Sequence, residues 1–265
     1  MRLKKSLLAA ALLAVGMLSI QGCQKKDTYA IENDHVKVAE YRGISVKKVE
    51  PVTVDADYLA EKFAGVVEYY NSFMNTSYSG TDDDTVAAVT GGSFSTYDDW
   101  CENVRAGYTR GEQENATTDM AQAVWNVVFQ NSELGSYTKE EYEDRKQSVE
   151  ESMLAYDDVK TVEDYCKVED ITEEQYQKIL DETTLYFLKY YAILDAIGEQ
   201  EGICPTKEEI QTNYIDEHMK QLDSEAGSEE WNAEYEAAME LYDDYYYSEL
   251  INRVFNFLYE NADIK

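Results

Sequence analysis

The chain has 265 residues, with 54 Asp and Glu against 23 Lys and Arg, for a formal net charge of −31. A surface this acidic repels phosphates, which excludes nucleic acid and anionic lipid head groups as expected partners. Apolar residues make up 44% of the chain, enough for a core, while proline (2) and glycine (13) are scarce and tyrosine (23) is abundant. Few breakers, many Glu and Lys, and repeated capping boxes predict an all-α fold.

At the N-terminus, Met1–Lys5 is basic, Leu7–Ile20 is an apolar run too short to span a membrane comfortably, and small Gly22 precedes Cys23. Residues 1–22 are therefore expected to be a signal peptide. Ile20-Gln21-Gly22-Cys23 resembles the lipobox of bacterial lipoproteins. That resemblance implies export, acylation of Cys23 and a lipid anchor at the outer face of the cytoplasmic membrane. Residues 23–35 then read as a polar tether. With Cys23 acylated, Cys101, Cys166 and Cys204 remain. Export permits a disulfide, but any pair leaves a thiol over, and the expectation is buried free cysteines.

His35–Val49 alternates Val36, Val38, Ile44 and Val46 and reads as extended, with Pro51 separating it from the first helix. Thr53–Met74 places Leu59, Phe63, Val66, Val67, Tyr70, Phe73 and Met74 on one helical face. Residues 75–95, with Gly91-Gly92 and Asp82-Asp83-Asp84, read as a long loop. Thr96 with Asp99 begins a helix that can reach Asn131, with Gly107, Gly111 and Thr117-Thr118 as possible breaks. Unbroken, it is about 50 Å long at about 1.5 Å per residue, which suits an elongated arm.

Thr138 with Glu141 starts a helix to about Tyr156, and Thr161 with Asp164 starts a short one. Thr172 with Gln175 opens the central helix, whose stripe runs Tyr176, Ile179, Leu180, Thr183, Phe187, Tyr190, Leu194 and Ile197. From Leu185 to Ile197 only Lys189 and Asp195 are charged, so burial on nearly every side is expected. Gly202 and Pro205 stop this helix, and Thr206 with Glu209 starts the next, to Gln221. Glu229–Asn261 reads as one final helix.

These segments, in this order, resemble the C-terminal domain of trigger factor, the bacterial chaperone. The resemblance is carried by VAEYRGISVKKVEPVTVDADYL, STYDDW, MAQAVWNVVFQNSEL, TKEEYE, TVEDYC, ITEEQYQKIL through LDAIGEQEGICPTKEEI, and LINRVFNFLYENADIK, across residues 36–265. It implies an elongated, multi-helix chaperone fold with long arms, shared with SurA-type periplasmic chaperones. The family inserts an FKBP-type prolyl isomerase domain where this chain has only residues 75–95, and nothing before Tyr41 resembles its ribosome-binding segment. Isomerase activity and ribosome docking are therefore not expected here.

Catalytic chemistry has little to stand on. His35 and His218 are the only histidines, neither in a recognisable context, and GxSxG, HExxH and GxxxxGK[ST] do not occur. The Asp82–Asp84 run lacks the EF-hand spacing. No catalytic residue, metal site or cofactor is expected. Tyrosine is the more informative signal, since its ring offers an apolar face and a hydrogen-bonding tip to varied partners. The expectation is an ATP-independent holdase whose cradle meets unfolded, newly exported chains. The residues expected to contact them are Tyr70, Met74, Tyr108, Trp125, Phe129, Tyr142, Met153, Tyr242 and Tyr246. The alternative is a scaffold lipoprotein that uses the same frame for one specific partner.

Overall fold

A computed structural model describes residues 29–155, 159, 161–222 and 226–265. The expected signal peptide and the expected lipidation at Cys23 lie outside the described residues, as does Tyr156. The described chain is mostly helical and divides into two compact units. One holds the chain up to Ile44 together with Val124–Ala262; the other holds Ser45–Ala123 and Asp263–Lys265.

The smaller unit begins with strand β3 (Ser45–Val46), which pairs in parallel with the C-terminal strand β5 (Asp263–Ile264). Helix α1 (Ala56–Met74) starts where the Asp55 carboxylate accepts the Tyr58 amide and ends at Asn75 in the left-handed conformation. Its Leu59, Phe63 and Val67 pack against Val86 and Val89 of α2 (Asp83–Val89) and Trp100 of α3 (Tyr97–Asn131). Phe63 meets Trp100 edge-on at 4.9 Å and Tyr97 at 5.1 Å.

Helix α2 corrects the expected loop. Asp82 is its N-cap, accepting the Thr85 amide at 3.0 Å and the Thr85 hydroxyl at 2.8 Å. The acidic run is thus a helix start, where carboxylates complement the exposed amides. Helix α3 is unbroken through Gly107 and Gly111, and Thr117 and Thr118 return their hydroxyls to the carbonyls of Gln113 and Glu114. An interior glycine costs a helix about 1 kcal/mol, and burial of Ala116, Met120, Ala121, Val124 and Val128 offsets it.

In the larger unit, strands β1 (Ile31–Glu32), β2 (Val36–Val38) and β4 (Glu133–Leu134) form an antiparallel sheet in the order β1-β2-β4. Part of the expected tether is therefore a paired strand, with Ile31 opposite Val38. Gly135 is required beside it: a Cβ there would collide with the backbone of Asp34 and His35. After β2 the chain is clamped in place. The Tyr41 hydroxyl donates to Glu201 at 2.6 Å, Arg42 bonds Asn261 at 2.8 Å, and the Gly43 amide donates to the Asn261 carbonyl.

The expected centre is the observed one. Helix α6 (Glu173–Glu201) opens with the Thr172/Gln175 capping box and closes at Gly202 with φ +65°. Its Tyr176, Leu180 and Phe187 form a core with Val149 and Met153 of α4 (Lys139–Met153) and Cys166 of α5 (Val162–Glu169). Thr184, fully buried, satisfies its hydroxyl on the Leu180 carbonyl at 2.7 Å.

The segment after Pro205 is helical as expected but carries a π turn (Gln211–Ile215) between α7 (Lys207–Ile210) and α8 (Asp216–Lys220). The final helix is two, α9 (Glu229–Glu240) and α10 (Tyr242–Glu260), separated at Leu241. Burial of Ala238 with Ile215 and Met219 holds α9 in a cluster of its own. Gly198 lets α10 approach α6: a Cβ there would come within 2.8 Å of both Leu250 Cδ1 and Cys204 Sγ. Cys101, Cys166 and Cys204 are free thiols; Cys166 is buried as expected, whereas Cys101 and Cys204 are only partly buried.

Candidate functional site

The larger unit contains a cleft of about 880 Å³, walled by α4, α6 and the start of α10 and reached by side chains near β4 and the π turn. Its position explains a peculiarity of the sequence. Helix α6 lacks a polar face between Leu185 and Ile197, yet Tyr190 and Tyr191 are only half-buried, because this side borders the cleft. Burial on nearly every side was expected; Leu185, at 37% exposed, departs from it as well.

The wall is built from tyrosine rings in edge-to-face contact. Tyr191 meets Tyr247 at 4.4 Å and 61°, Tyr190 at 5.6 Å and 87°, and Tyr246 meets Tyr247 at 5.2 Å. Behind them Tyr190 packs on buried Trp125 at 4.8 Å, which holds the wall rigid. Arg145 of α4 lays its guanidinium over the Tyr191 ring, 4.2 Å from the centroid, a cation–π contact. Tyr214 stacks on Tyr245 at 5.2 Å and donates its hydroxyl to Glu249 at 2.7 Å.

Asp195 is half-buried in this wall, where the other carboxylates lining the cleft are exposed. It accepts the Tyr247 hydroxyl at 3.2 Å. Burial pushes its carboxyl up to about 6 and nearby Glu199 adds to this, while the Tyr247 hydrogen bond and Arg145 pull the other way. Burial also raises the phenols of Tyr190, Tyr191 and Tyr247, so the rings stay neutral at physiological pH. Glu141, Asp144, Glu199, Asp243 and Asp244 stand exposed around the opening.

The smaller unit presents a different surface. On the last turns of α1, Tyr69 (73% exposed), Phe73 (77%) and Met74 (51%) project into solvent, with Tyr78 just beyond. Tyr69 and Phe73 stack at 6.4 Å and 8°. Asn71 fixes the turn that carries Tyr78, bonding its backbone N–H and C=O at 2.9 and 2.8 Å.

The residues expected to contact clients are divided between the two units and differ widely in exposure. Met74 and Tyr108 are exposed, and Tyr70 is half-buried against Tyr78. Trp125 and Met153 are corrected outright: each is 1% exposed and belongs to the core. Phe129 lies under the Lys189 ammonium and beside Tyr186. Tyr142 packs on Tyr137 and donates to Asp181 at 2.9 Å. Tyr242 packs on the Ile215 cluster, and Tyr246 is half-buried near the Cys204 thiol. Helical periodicity identified these side chains as apolar-facing without distinguishing the core from an open wall. Tyr69, Phe73, Tyr191, Tyr247 and Asp195 were missing from that set. The doublets Tyr69-Tyr70 and Tyr190-Tyr191 carry more rings than one helical stripe needs, which points to tyrosine surfaces without saying which ring of each pair is exposed.

His35 borders the cleft and His218 lies on α8, and among the described residues no group of three His, Cys, Asp or Glu side chains is arranged to hold a metal ion. No described helix is long and apolar enough to cross a membrane. The chain matches no protein-family model and no curated protein.

Proposed function

We propose that the chain is an ATP-independent holdase for incompletely folded, exported polypeptides, held at the outer face of a bacterial membrane by acylation of Cys23. The observation that carries this reading is the exposed Tyr69–Phe73–Met74 surface on α1. Large apolar side chains clustered in water mark an interaction surface. Stacked aromatic rings beside a flexible thioether suit varied apolar partners better than one fixed shape. The formal charge of −31 would keep a holdase and its bound client from associating with further copies. The mostly helical chain is compatible with this reading, and the long-armed frame like that of the trigger factor C-terminal domain and SurA-type chaperones belongs to the proposal.

Contacts of this kind are weak singly and are released when the client buries its own apolar segments. The test is light scattering from several unrelated unfolded proteins diluted into buffer with the mature chain. Suppression of aggregation by the wild type, and its loss in Phe73→Ser/Met74→Ser at unchanged thermal stability, is expected. Tight capture of one protein with no protection of the others refutes the holdase and selects a scaffold for a specific partner.

A further inference from the structure

We propose that the cleft of the larger unit binds a linear aliphatic polyamine, a chain of ammonium groups joined by methylene runs. This goes beyond the holdase reading and does not depend on it, since that reading rests on the other unit. The cavity, about 880 Å³, lies in the range of small-molecule sites, roughly 300–1,000 Å³. Its walls offer tyrosine faces, and a ring face attracts an ammonium group while also packing against methylenes. Arg145 already occupies one side of Tyr191 in this manner, which shows that the wall accepts a cation.

Charge complementarity selects the occupant. The cleft carries Asp144 on α4, Asp195 and Glu199 on α6, and Asp243 and Asp244 on α10, against the single Arg145. Glu141 is engaged with Thr138 in the α4 capping box. Among the described residues, none of the other five has a Lys or Arg within salt-bridge distance. Asp243 and Asp244 are partly compensated by the α10 N-terminus on which they sit.

The carboxylates stand on three helices and do not converge on a point, so they suit several spaced positive charges better than one metal ion. Asp195, in contact with Tyr247 and set into the ring wall, would take the innermost ammonium. The rim carboxylates would take the outer ones, and the Tyr191 and Tyr247 faces the methylenes between.

The experiment is isothermal titration calorimetry of the mature chain with spermidine, with and without Mg²⁺ at matched ionic strength. One saturable site is expected, little affected by Mg²⁺ and weakened at least tenfold by Asp195→Asn/Asp144→Asn. Glu61→Gln/Glu68→Gln, which removes two exposed charges from α1, should leave it unchanged. Unsaturable heats, full competition by Mg²⁺, or equal losses in both double variants would overturn the proposal and show only counterion attraction to an acidic surface. A lysine-rich peptide that displaces spermidine and binds more tightly through the same residues would overturn it in favour of a polypeptide site. The Phe73→Ser/Met74→Ser variant should bind spermidine normally, so the two readings can fail separately.

Discussion

Asp195 gives the larger unit a stability that depends on pH in a direction opposite to most carboxylates. Its carboxyl is held at about 6 where the ordinary value is 3.8. At about 1.4 kcal/mol per pH unit, the folded chain favours the protonated form by about 3 kcal/mol. Because the folded value is the higher one, this contribution is fully present below pH 3.8, declines as pH rises and is gone above pH 6. The charged groups facing it are Arg145 from α4 and Glu199 from α6, and the neutral titratable ones are the Tyr191 phenol from α6, the Tyr246 and Tyr247 phenols from α10 and the Cys204 thiol beyond α6. Asp195→Asn keeps an oxygen to accept the Tyr247 hydroxyl and cannot ionise. The variant should exceed the wild type by up to about 3 kcal/mol at pH 7.5 and match it near pH 4. Urea denaturation of both proteins at the two pH values measures the difference. An equal gain at both would show that ionisation is irrelevant. A loss at pH 7.5 would show that Arg145 and Tyr247 more than offset the burial of the charge.

Three further outcomes follow from the packing. Gly198→Ala should destabilise the larger unit by about 1–3 kcal/mol in urea denaturation, because its Cβ would overlap Leu250 and Cys204. Thr138→Ala removes the α4 capping box and should lower stability by about 1 kcal/mol, with faster hydrogen exchange at the Glu141 amide. Arg253 bonds Glu209 and Glu249, each at 2.8 Å, and Arg253 and the Thr206 cap hold the Glu209 carboxyl down at about 2. Being depressed, Glu209 contributes above pH 4.5 and loses its contribution as pH falls toward 2. In Arg253→Met its carboxyl resonance should titrate closer to 4.5 by NMR, and an unchanged titration would mean the cap alone sets it.

Local physics was legible along the chain wherever the partners lie within a few residues of one another. The capping boxes at Thr138/Glu141, Thr172/Gln175 and Thr206/Glu209 are present as expected, as is the left-handed Gly202. Each involves atoms three or four residues apart, so spacing alone specifies it. The acidic run at Asp82 is ambiguous for a reason of the same kind. Aspartate favours loops and helix starts alike, and only the burial of Val86 and Val89 against Phe63 and Trp100 decides for the helix. The break at Leu241 was hidden because Tyr and Glu keep their helical periodicity on both sides of it.

Composition and periodicity by themselves determined the helical class, the central position of Glu173–Glu201 and the acidic surface. Tertiary structure alone decided which aromatic side chains are core and which are wall. Trp125 and Tyr190 are both apolar positions at helical spacing, yet one is buried and the other borders a cleft. The cleft itself brings together Arg145, Tyr191, Asp195 and Tyr247 from three helices far apart in the chain. No short-range pattern encodes such a meeting, because it is set by how those helices pack and not by the residues beside each side chain.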